Sequence, residues 1–558
     1  MEFLIIAVLG LLAIAGATTL GARWGVATPL LLVALGIGVS LLPFVPAVVI
    51  EPEWILAGVL PPLLYSASVS MPGMDFRREF TAIAGLSVAL VVLSSIILGL
   101  FFSWIIPGLS LAWGIALGAI VSPTDAVATS IVKRLGAPPR IIAMLEGESL
   151  LNDATALVLL RAAIAGTAAS VSLWSVVGDF AYAVVVAVVI GLIVGKLNLL
   201  VRARVKDATV NTVISFTVPF LASIPAEMLH ASGLVAAVVA GLITGRGAIR
   251  VLSPQHRLSD SQNWKTIELI LEGAIFLTMG LELTAILGDV QADHGGIGFS
   301  IAIAAAALAL TIVVRTAYVT LLLSGLQRNA NRKVRRKPRL AQIKEQIENP
   351  DARFSRRRGP APQARIDRFS GTLRRMLADI EYFASQPLGW REGSIVVWAG
   401  MRGAITLAAA QTLPNDTPGR SVLVFIAFLV AGGSLLLQGG TLARVFSWVK
   451  PATVDPAAEG VERVRLMALL DAAADEARAD QARAAAARAD RSDPGDTRWP
   501  AEESKRLRLA EIASQRAALL RARDDGTFSA SSLNAALSVL DADQMRLELT
   551  GAPANEEN

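Results

Sequence analysis

Apolar runs of about 18 or more residues recur from Phe3 to Val449, and no other feature of the chain limits its fold as severely. A run of that length crosses the roughly 30 Å hydrocarbon core of a bilayer as a helix, because backbone surrounded by lipid must satisfy its own hydrogen bonds. The 558 residues are 54% hydrophobic and 17% charged with a mean hydropathy of +0.56, values that exclude an ordinary soluble protein. The predicted fold class is an all-α polytopic membrane protein with about thirteen transmembrane helices. The spans are expected at 3–20, 27–48, 54–72, 80–106, 111–132, 141–165, 174–198, 208–228, 231–247, 265–287, 298–326, 392–413 and 421–448. Met1-Glu2 runs directly into apolar residues without a positive leader, so the first run is read as a span and not as a cleaved signal peptide.

The connections alternate in charge. Arg23, Arg77 and Arg78, Lys133 with Arg134 and Arg140, Arg202 to Lys206, Arg246 to Arg257 and the 327–391 segment fall on one side. Pro46–Glu53, Gly166–Val171, Gly288–Gly296 and Pro414–Gly419 contain no Lys or Arg. The positive-inside rule then places the N-terminus outside and the C-terminus in the cytoplasm, in a plasma membrane of the bacterial inner-membrane kind. The formal charge of +5 and the pI near 9.6 follow from these basic loops, so nucleic acid is not an expected partner. The absence of cysteine excludes disulfides, thiolate metal sites and cysteine nucleophiles.

Three regions are expected: a transmembrane domain over 1–450, a basic cytoplasmic insert within it at 327–391, and a cytoplasmic helical tail at 451–558. The insert carries Arg-Lys-Val-Arg-Arg-Lys-Pro-Arg339 and Arg356-Arg-Arg-Gly-Pro360, with a short helix expected near 368–384. It suits the surface of anionic membrane lipid or a regulatory loop. In the tail, 457–490 and 500–523 read as polar helices split by Ser492-Asp-Pro-Gly495. Leu533, Leu537, Leu540 and Leu547 recur at helical spacing and can close a small helical domain; a solvated appendage is the plainer reading.

Chemistry concentrates in Glu146-Gly-Glu-Ser-Leu-Leu-Asn-Asp-Ala-Thr-Ala-Leu-Val-Leu159, where three carboxylates and an amide interrupt a membrane-length apolar segment. An ionisable group there costs about 2.5–3.5 kcal/mol on insertion scales, so such groups face a bundle interior and act on ions or protons. Asp153 is the first of them. On a helix Ser149 shares its face, and Asn152 can bond a neighbouring helix or broken backbone. Glu148 lies well round the helix and needs a partner of its own.

Two spans are interrupted, by Val121-Ser-Pro-Thr-Asp-Ala126 and by Ala399-Gly-Met-Arg-Gly-Ala404. Proline removes a backbone donor and glycine loosens a helix. A proline kink and a glycine packing face account for many such spans taken singly. A matching pair in the two halves of a chain instead points to inverted repeats with a binding site at the breaks. Arg402 requires an anion, and the expected one is Glu148; loss of one partner of a buried pair costs about 3–5 kcal/mol. Asp153 is then left without a fixed counter-ion and can exchange a proton for a metal cation. Hard monovalent cations take oxygen ligands, here Asp153, Ser149, Thr124 and the freed carbonyls of Ser122–Thr124. Asp125 is expected to balance crossing helix ends. Glu227, Glu272 and Arg315 are weaker signals that pair, line a funnel or sit at a rim, and His230 reads as a surface residue. The sequence has no nucleotide-binding Gly-rich loop, zinc-type His cluster or Ser/His catalytic arrangement.

Pro61-Pro-Leu-Leu-Tyr65, Ser122-Pro-Thr-Asp125, Gly147-Glu-Ser-Leu-Leu-Asn-Asp153, Ser232-Gly-Leu-Val-Ala-Ala-Val238 and Met401-Arg-Gly-Ala404, in this order, resemble the monovalent cation/proton antiporters of the NhaP and sodium/proton exchanger type. The resemblance covers about 1–450 and implies a homodimer, each subunit having a dimerisation domain and a mobile six-helix core with two crossed discontinuous helices. It implies that Asp153 carries both cation and proton, that Asn152 partners it, that Na⁺ sits at Asp153, Ser149 and Thr124, and that Glu148 and Arg402 form a structural ion pair. Asn rather than Asp before Asp153 is similar to the electroneutral branch, which exchanges one cation for one proton. Ser66 departs from the pattern, since several relatives carry an acid there, and the 327–391 insert is not a shared core feature. No cofactor and no enzymatic activity are implied; the transported cation, H⁺ and membrane lipid are the partners. Na⁺ is the expected cation, with Li⁺ or K⁺ as alternatives and pH homeostasis as the expected role. A cation channel would lack obligatory proton exchange. An intramembrane aspartyl hydrolase on Asp125 and Asp153 would leave Asn152, Ser149 and Arg402 without a role.

Overall fold

The computed structural model describes residues 2–43, 51–168, 173–292, 296–348, 363–452, 456–489 and 500–549. Its regular elements are all helices. In order they are α1 (Glu2–Trp24), α2 (Thr28–Ser40), α3 (Leu60–Ser70), α4 (Gly73–Ala84), α5 (Leu90–Ile105), α6 (Leu111–Val121) and α7 (Val127–Arg134). There follow α8 (Pro139–Ala168), α9 (Leu173–Arg202), α10 (Ala208–Met228), α11 (Gly233–Val251), α12 (Pro254–Leu281), α13 (Leu283–Ala292) and α14 (Ile297–Glu348). The remainder are α15 (Gln363–Ser385), α16 (Trp390–Trp398), α17 (Ala404–Gln411), α18 (Arg420–Ser434), α19 (Gly440–Val449), α20 (Pro456–Ala489), α21 (Pro500–Asp525) and α22 (Ala530–Leu549). Wider π turns at Trp54–Val59, Gly85–Ala89 and Leu435–Gly439 precede α3, join α4 to α5 and join α18 to α19.

Among the described residues nine helical stretches are long and apolar enough to cross a membrane, accompanied by the shorter apolar stretches Thr28–Ser40, Trp54–Ser70 and Leu111–Val121. The chain is a multi-pass membrane protein. The runs expected at 111–132 and 392–413 are each two half-helices, α6 with α7 and α16 with α17, separated by non-helical backbone at 122–126 and 399–403. Proline at 123 cannot donate a helical hydrogen bond, and the glycines at 400 and 403 admit neighbouring groups where a Cβ would collide.

The chain divides into two compact units, one of Met1–Leu252, Ser259–Leu326 and Leu388–Thr453, the other of Ser253–Leu258, Gln327–Pro387 and Val454–Asn558. In the first, several charges counted above as loop residues lie inside helices. Arg77 and Arg78 belong to α4, whose buried Glu79 is paired with Arg140 of α8 at 2.6 Å. Arg202 is fully buried at the end of α9, ion-paired with Asp260 at 3.0 Å and bonded to Asn211 and Ser215. A loop charge and a buried structural charge look alike in sequence, since only packing separates them.

In the second unit, Leu533, Leu537 and Leu540 of α22 are buried and Leu547 is half-buried. Ion pairs Arg478–Glu511 and Arg516–Asp541 tie α20 to α21 and α21 to α22. The helix expected near 368–384 is α15, which packs on α21. Arg356-Arg-Arg-Gly-Pro360 and Ser492-Asp-Pro-Gly495 lie outside the described residues.

Candidate functional site

The two breaks are hydrogen-bonded to each other: the Asp125 N–H donates to the Met401 carbonyl at 2.7 Å. Interrupting two helices leaves carbonyls without donors at the ends of α6 and α16, and amides without acceptors at the starts of α7 and α17. Two side chains of opposite charge meet these needs. Arg402 donates from Nε to the Val121 carbonyl at 3.0 Å and from Nη1 to the Gly400 carbonyl at 2.5 Å, the carbonyl side of both breaks. Asp125 accepts the Val127 N–H on Oδ1 at 2.9 Å, and its Oδ2 lies against Gly403, the residue before α17. A positive group at helix C-termini and a negative group at N-termini is the favourable sense for the peptide dipoles. Ser434 holds the second break from outside, accepting the Arg402 N–H at 2.7 Å.

The partner expected for Glu148 is therefore corrected. Glu148 is bidentate with Arg315 of α14, Oε1 to Nη1 at 2.5 Å and Oε2 to Nη2 at 2.8 Å, with both side chains 2% exposed. The same guanidinium donates from Nε and Nη2 to the Val396 carbonyl of α16 at 3.1 and 2.9 Å. Arg402 satisfies broken backbone in place of a carboxylate. It and Glu148 line one cavity of about 10 Å³, near the size of a single water, without a direct ion pair. Arg315 was only a weak signal because a lone arginine in an apolar run does not reveal its partner 167 positions away.

Asn152 bridges α8 to the first break, its Nδ2 donating to the Thr124 carbonyl and hydroxyl, each at 2.8 Å, while its Oδ1 accepts the Asp153 N–H at 2.7 Å. The Thr124 hydroxyl donates to Glu148 Oε1 at 3.0 Å. The Thr124 carbonyl and hydroxyl expected as free cation ligands are thus partly engaged, and Val121 is occupied by Arg402. Ser122 bonds Ser94 and the Val91 carbonyl. Ser149 is buried on α8, four residues before Asp153. Asp153 is buried as well, and its carboxylate has no hydrogen bond or ion pair among the described residues. Glu272 of α12, half-buried and within electrostatic reach of Asp125, likewise has no hydrogen bond or ion pair among the described residues, so Asp153 is the more deeply buried of two uncommitted carboxylates near the crossing.

The weaker candidates separate. Glu227 pairs at 3.6 Å with Arg161, both substantially exposed, and so belongs to the surface. His230 is exposed and left-handed, at φ 56°, just past α10. Ser66 donates to Glu268 Oε2 of α12 at 3.3 Å, so an acid does meet position 66 but arrives from another helix.

Crossed broken helices, a committed Arg–Glu pair and a deeply buried carboxylate without a fixed partner are the parts of a membrane transporter. The family model described as "Sodium/hydrogen exchanger, transmembrane" matches residues 5–448, and the chain belongs to the sodium/hydrogen exchanger family. An uncharacterised Na⁺/H⁺ exchanger of Mycobacterium tuberculosis H37Rv is 28% identical over 444 residues, 78% of this chain and 72% of the relative. A sodium, potassium, lithium and rubidium/H⁺ antiporter of Bacillus pumilus is 25% identical over 453 residues, 77% of this chain and 60% of the relative. The fold is similar to that of the sodium proton antiporter MjNhaP1 from Methanocaldococcus jannaschii, with a TM-score of 0.55 and 17% identity over 80% of this chain and 98% of that one. The activity class is monovalent cation/proton antiport and not enzymatic catalysis. The aspartyl hydrolase alternative is not favoured: the family is a transporter family, and Asp125 Oδ1 is engaged by the Val127 N–H at the start of α7.

Proposed function

We propose that the chain exchanges Na⁺ for H⁺, one for one, with both ions competing for the Asp153 carboxylate. The observation that carries this reading is the contrast in commitment: Glu148, Arg315, Arg402 and Asp125 each have fixed partners, whereas the buried Asp153 carboxylate has none among the described residues. A buried carboxylate without a counter-ion is neutralised by a proton or by a metal cation, and alternation between the two is antiport. Ser149 on the same face of α8 and the remaining lone pair of Thr124 are the neighbouring oxygen donors for the cation. Asn152 positions Asp153 and Thr124, and Asp125 with Arg402 holds the breaks open.

The Lys- and Arg-bearing connections favour an N-terminus outside and a C-terminus in the cytoplasm of a plasma membrane. We further read the chain as a homodimer with a transmembrane domain over 1–450 and a cytoplasmic tail over 451–558, on the motif resemblance above. Asp153→Asn tests the core of this reading. In proteoliposomes the variant should insert and be as monodisperse as the parent but show no pH-driven Na⁺ uptake. Measurable uptake would overturn the assignment.

A further inference from the structure

The basic run Arg-Lys-Val-Arg-Arg-Lys-Pro-Arg339 has no part in exchange at Asp153, and the structure sorts its charges by face. Residues 327–343 hold seven Lys or Arg and no Asp or Glu, all within α14. Lys337 is paired with Glu381, and Lys333 stands over the Phe383 ring at 5.1 Å from its centroid, so α15 holds both lysines. Arg328, Arg332, Arg335 and Arg339 recur at i, i+4, i+7 and i+11 and form one stripe along the helix. All four are exposed, and none has a hydrogen bond or ion pair among the described residues. Like charges three and four residues apart on a helix repel, so the stripe is stabilised by an anion from outside the chain.

The place of the stripe relative to the bilayer follows from α16, which runs antiparallel beside α14. Arg315 meets the Val396 carbonyl, and a Cβ on Gly393 would lie 2.9 Å from Leu323 Cδ1. Trp390 at the start of α16 and Trp448 at the end of α19 are 69% and 84% exposed, and Arg391 Nη1 donates to the Lys450 carbonyl at 3.4 Å between those helix ends. Exposed tryptophans beside basic residues mark the edge of the hydrocarbon. The rise from Gly393 to Trp390, matched on α14, brings that edge to Leu326, so Arg328 and Arg332 lie about 3 and 9 Å beyond it along the helix axis. The headgroup layer is about 5–8 Å deep on each side. Side chains tilt toward the N-terminus of their helix, and the N-terminal part of α14 is the apolar span, so these arginines reach back to the headgroups. Arg335 and Arg339 come about 14 and 20 Å beyond the edge, where the surface potential fades over a Debye length of about 8 Å.

We propose that the arginine stripe of α14 is a docking surface for the anionic phospholipid headgroups of the adjoining leaflet. A guanidinium group forms paired hydrogen bonds with phosphate oxygens, and it is the arginines that are free while the lysines are turned to α15. The order along the helix separates lipid from a soluble polyanion: a bilayer acts most on Arg328 and least on Arg339, whereas a nucleic acid in solution would use the whole stripe. The same helix carries Arg315, which is bonded to Glu148 and to the Val396 carbonyl, so lipid at the stripe steadies the helix that braces the crossing. The proposal does not depend on which ion Asp153 carries.

Thermal unfolding of the full chain in neutral detergent, titrated with phosphatidylglycerol and with phosphatidylcholine as the uncharged reference, tests it. Arg328→Gln and Arg332→Gln should each raise half-saturating phosphatidylglycerol about fivefold, and Arg339→Gln by less than about twofold. Arg328→Lys keeps the charge and should stay within about threefold of the parent. Higher salt should weaken the lipid effect. Equal stabilisation by both lipids, equal losses along the stripe, or the same loss in Arg328→Lys as in Arg328→Gln overturns the proposal. Inorganic phosphate reproducing the stabilisation at the same concentration, or duplex DNA displacing phosphatidylglycerol, overturns the lipid assignment. The chain has no cysteine, so Asn331→Cys gives a single labelling site beside the stripe. In phosphatidylglycerol nanodiscs a nitroxide there should relax faster with a headgroup-borne nickel chelate than with the same chelate dissolved in water; the reverse order overturns the docking.

Discussion

The backbone N–H of Asp125 donates to the carbonyl of Met401 at 2.7 Å, so the two interrupted helices meet by main-chain contact at their breaks. The contact requires glycine beside it: a Cβ on Gly403 would lie 1.3 Å from Asp125 Oδ2.

Gly403→Ala should therefore displace Asp125 and with it the start of α7. Exchange should fall by about 10- to 100-fold, the scale expected when reacting groups shift by an ångström. Gly440→Ala, whose Cβ meets nothing within 4 Å, is the control and should exchange at the parental rate. Initial rates in proteoliposomes compare the two.

Glu148→Ala and Arg315→Ala should each destabilise the protein by about 3–5 kcal/mol, since either leaves one buried charge alone. The double variant should lose clearly less than the sum. Glu148→Ala with Arg402→Ala should show a smaller coupling, because Arg402 is bonded to carbonyls and not to Glu148. Thermal unfolding of the detergent-purified single and double variants measures both cycles; equal coupling in the two would return Glu148 to Arg402.

If one carboxylate carries both ions, they compete. Lowering the pH on the Na⁺-loading side should raise the apparent KM for Na⁺ with little change in maximal rate. Exchange should fall again when the opposite side becomes alkaline and protons for the return step are scarce. A bell-shaped profile results, and a maximal rate that drops with an unchanged KM would contradict competition.

Asn152 cannot carry a second proton, so each cycle should move one positive charge in each direction. The rate should not respond to a membrane potential set with K⁺ and valinomycin, once K⁺ itself is shown not to be transported. Acceleration by an inside-negative potential would implicate a second titrating group, with Asp125 the first to be tested.

Span-length apolar runs determined that the chain is helical and membrane-embedded, because lipid offers the backbone no other hydrogen-bond partners. Pro123, Gly400 and Gly403 marked both breaks by local chemistry, and the acids of 146–153 marked the ion-bearing helix by their cost in lipid. These signals act within a few residues of themselves and so survive in sequence. Pairing does not. Whether Glu148 meets Arg315 or Arg402 depends on how α8, α14 and α16 pack, and a buried carboxylate is satisfied by whichever guanidinium arrives with two aligned donors. Arg402 could take the place of a backbone donor only because the tertiary fold brings Val121 and Gly400 to it together. By the same packing Glu268 reaches Ser66, and Arg420 closes α17 while the Ser421 hydroxyl remains without a partner. The sequence determined which residues carry charge into the membrane, and the tertiary structure alone decided which of those charges are committed to a partner and which are not.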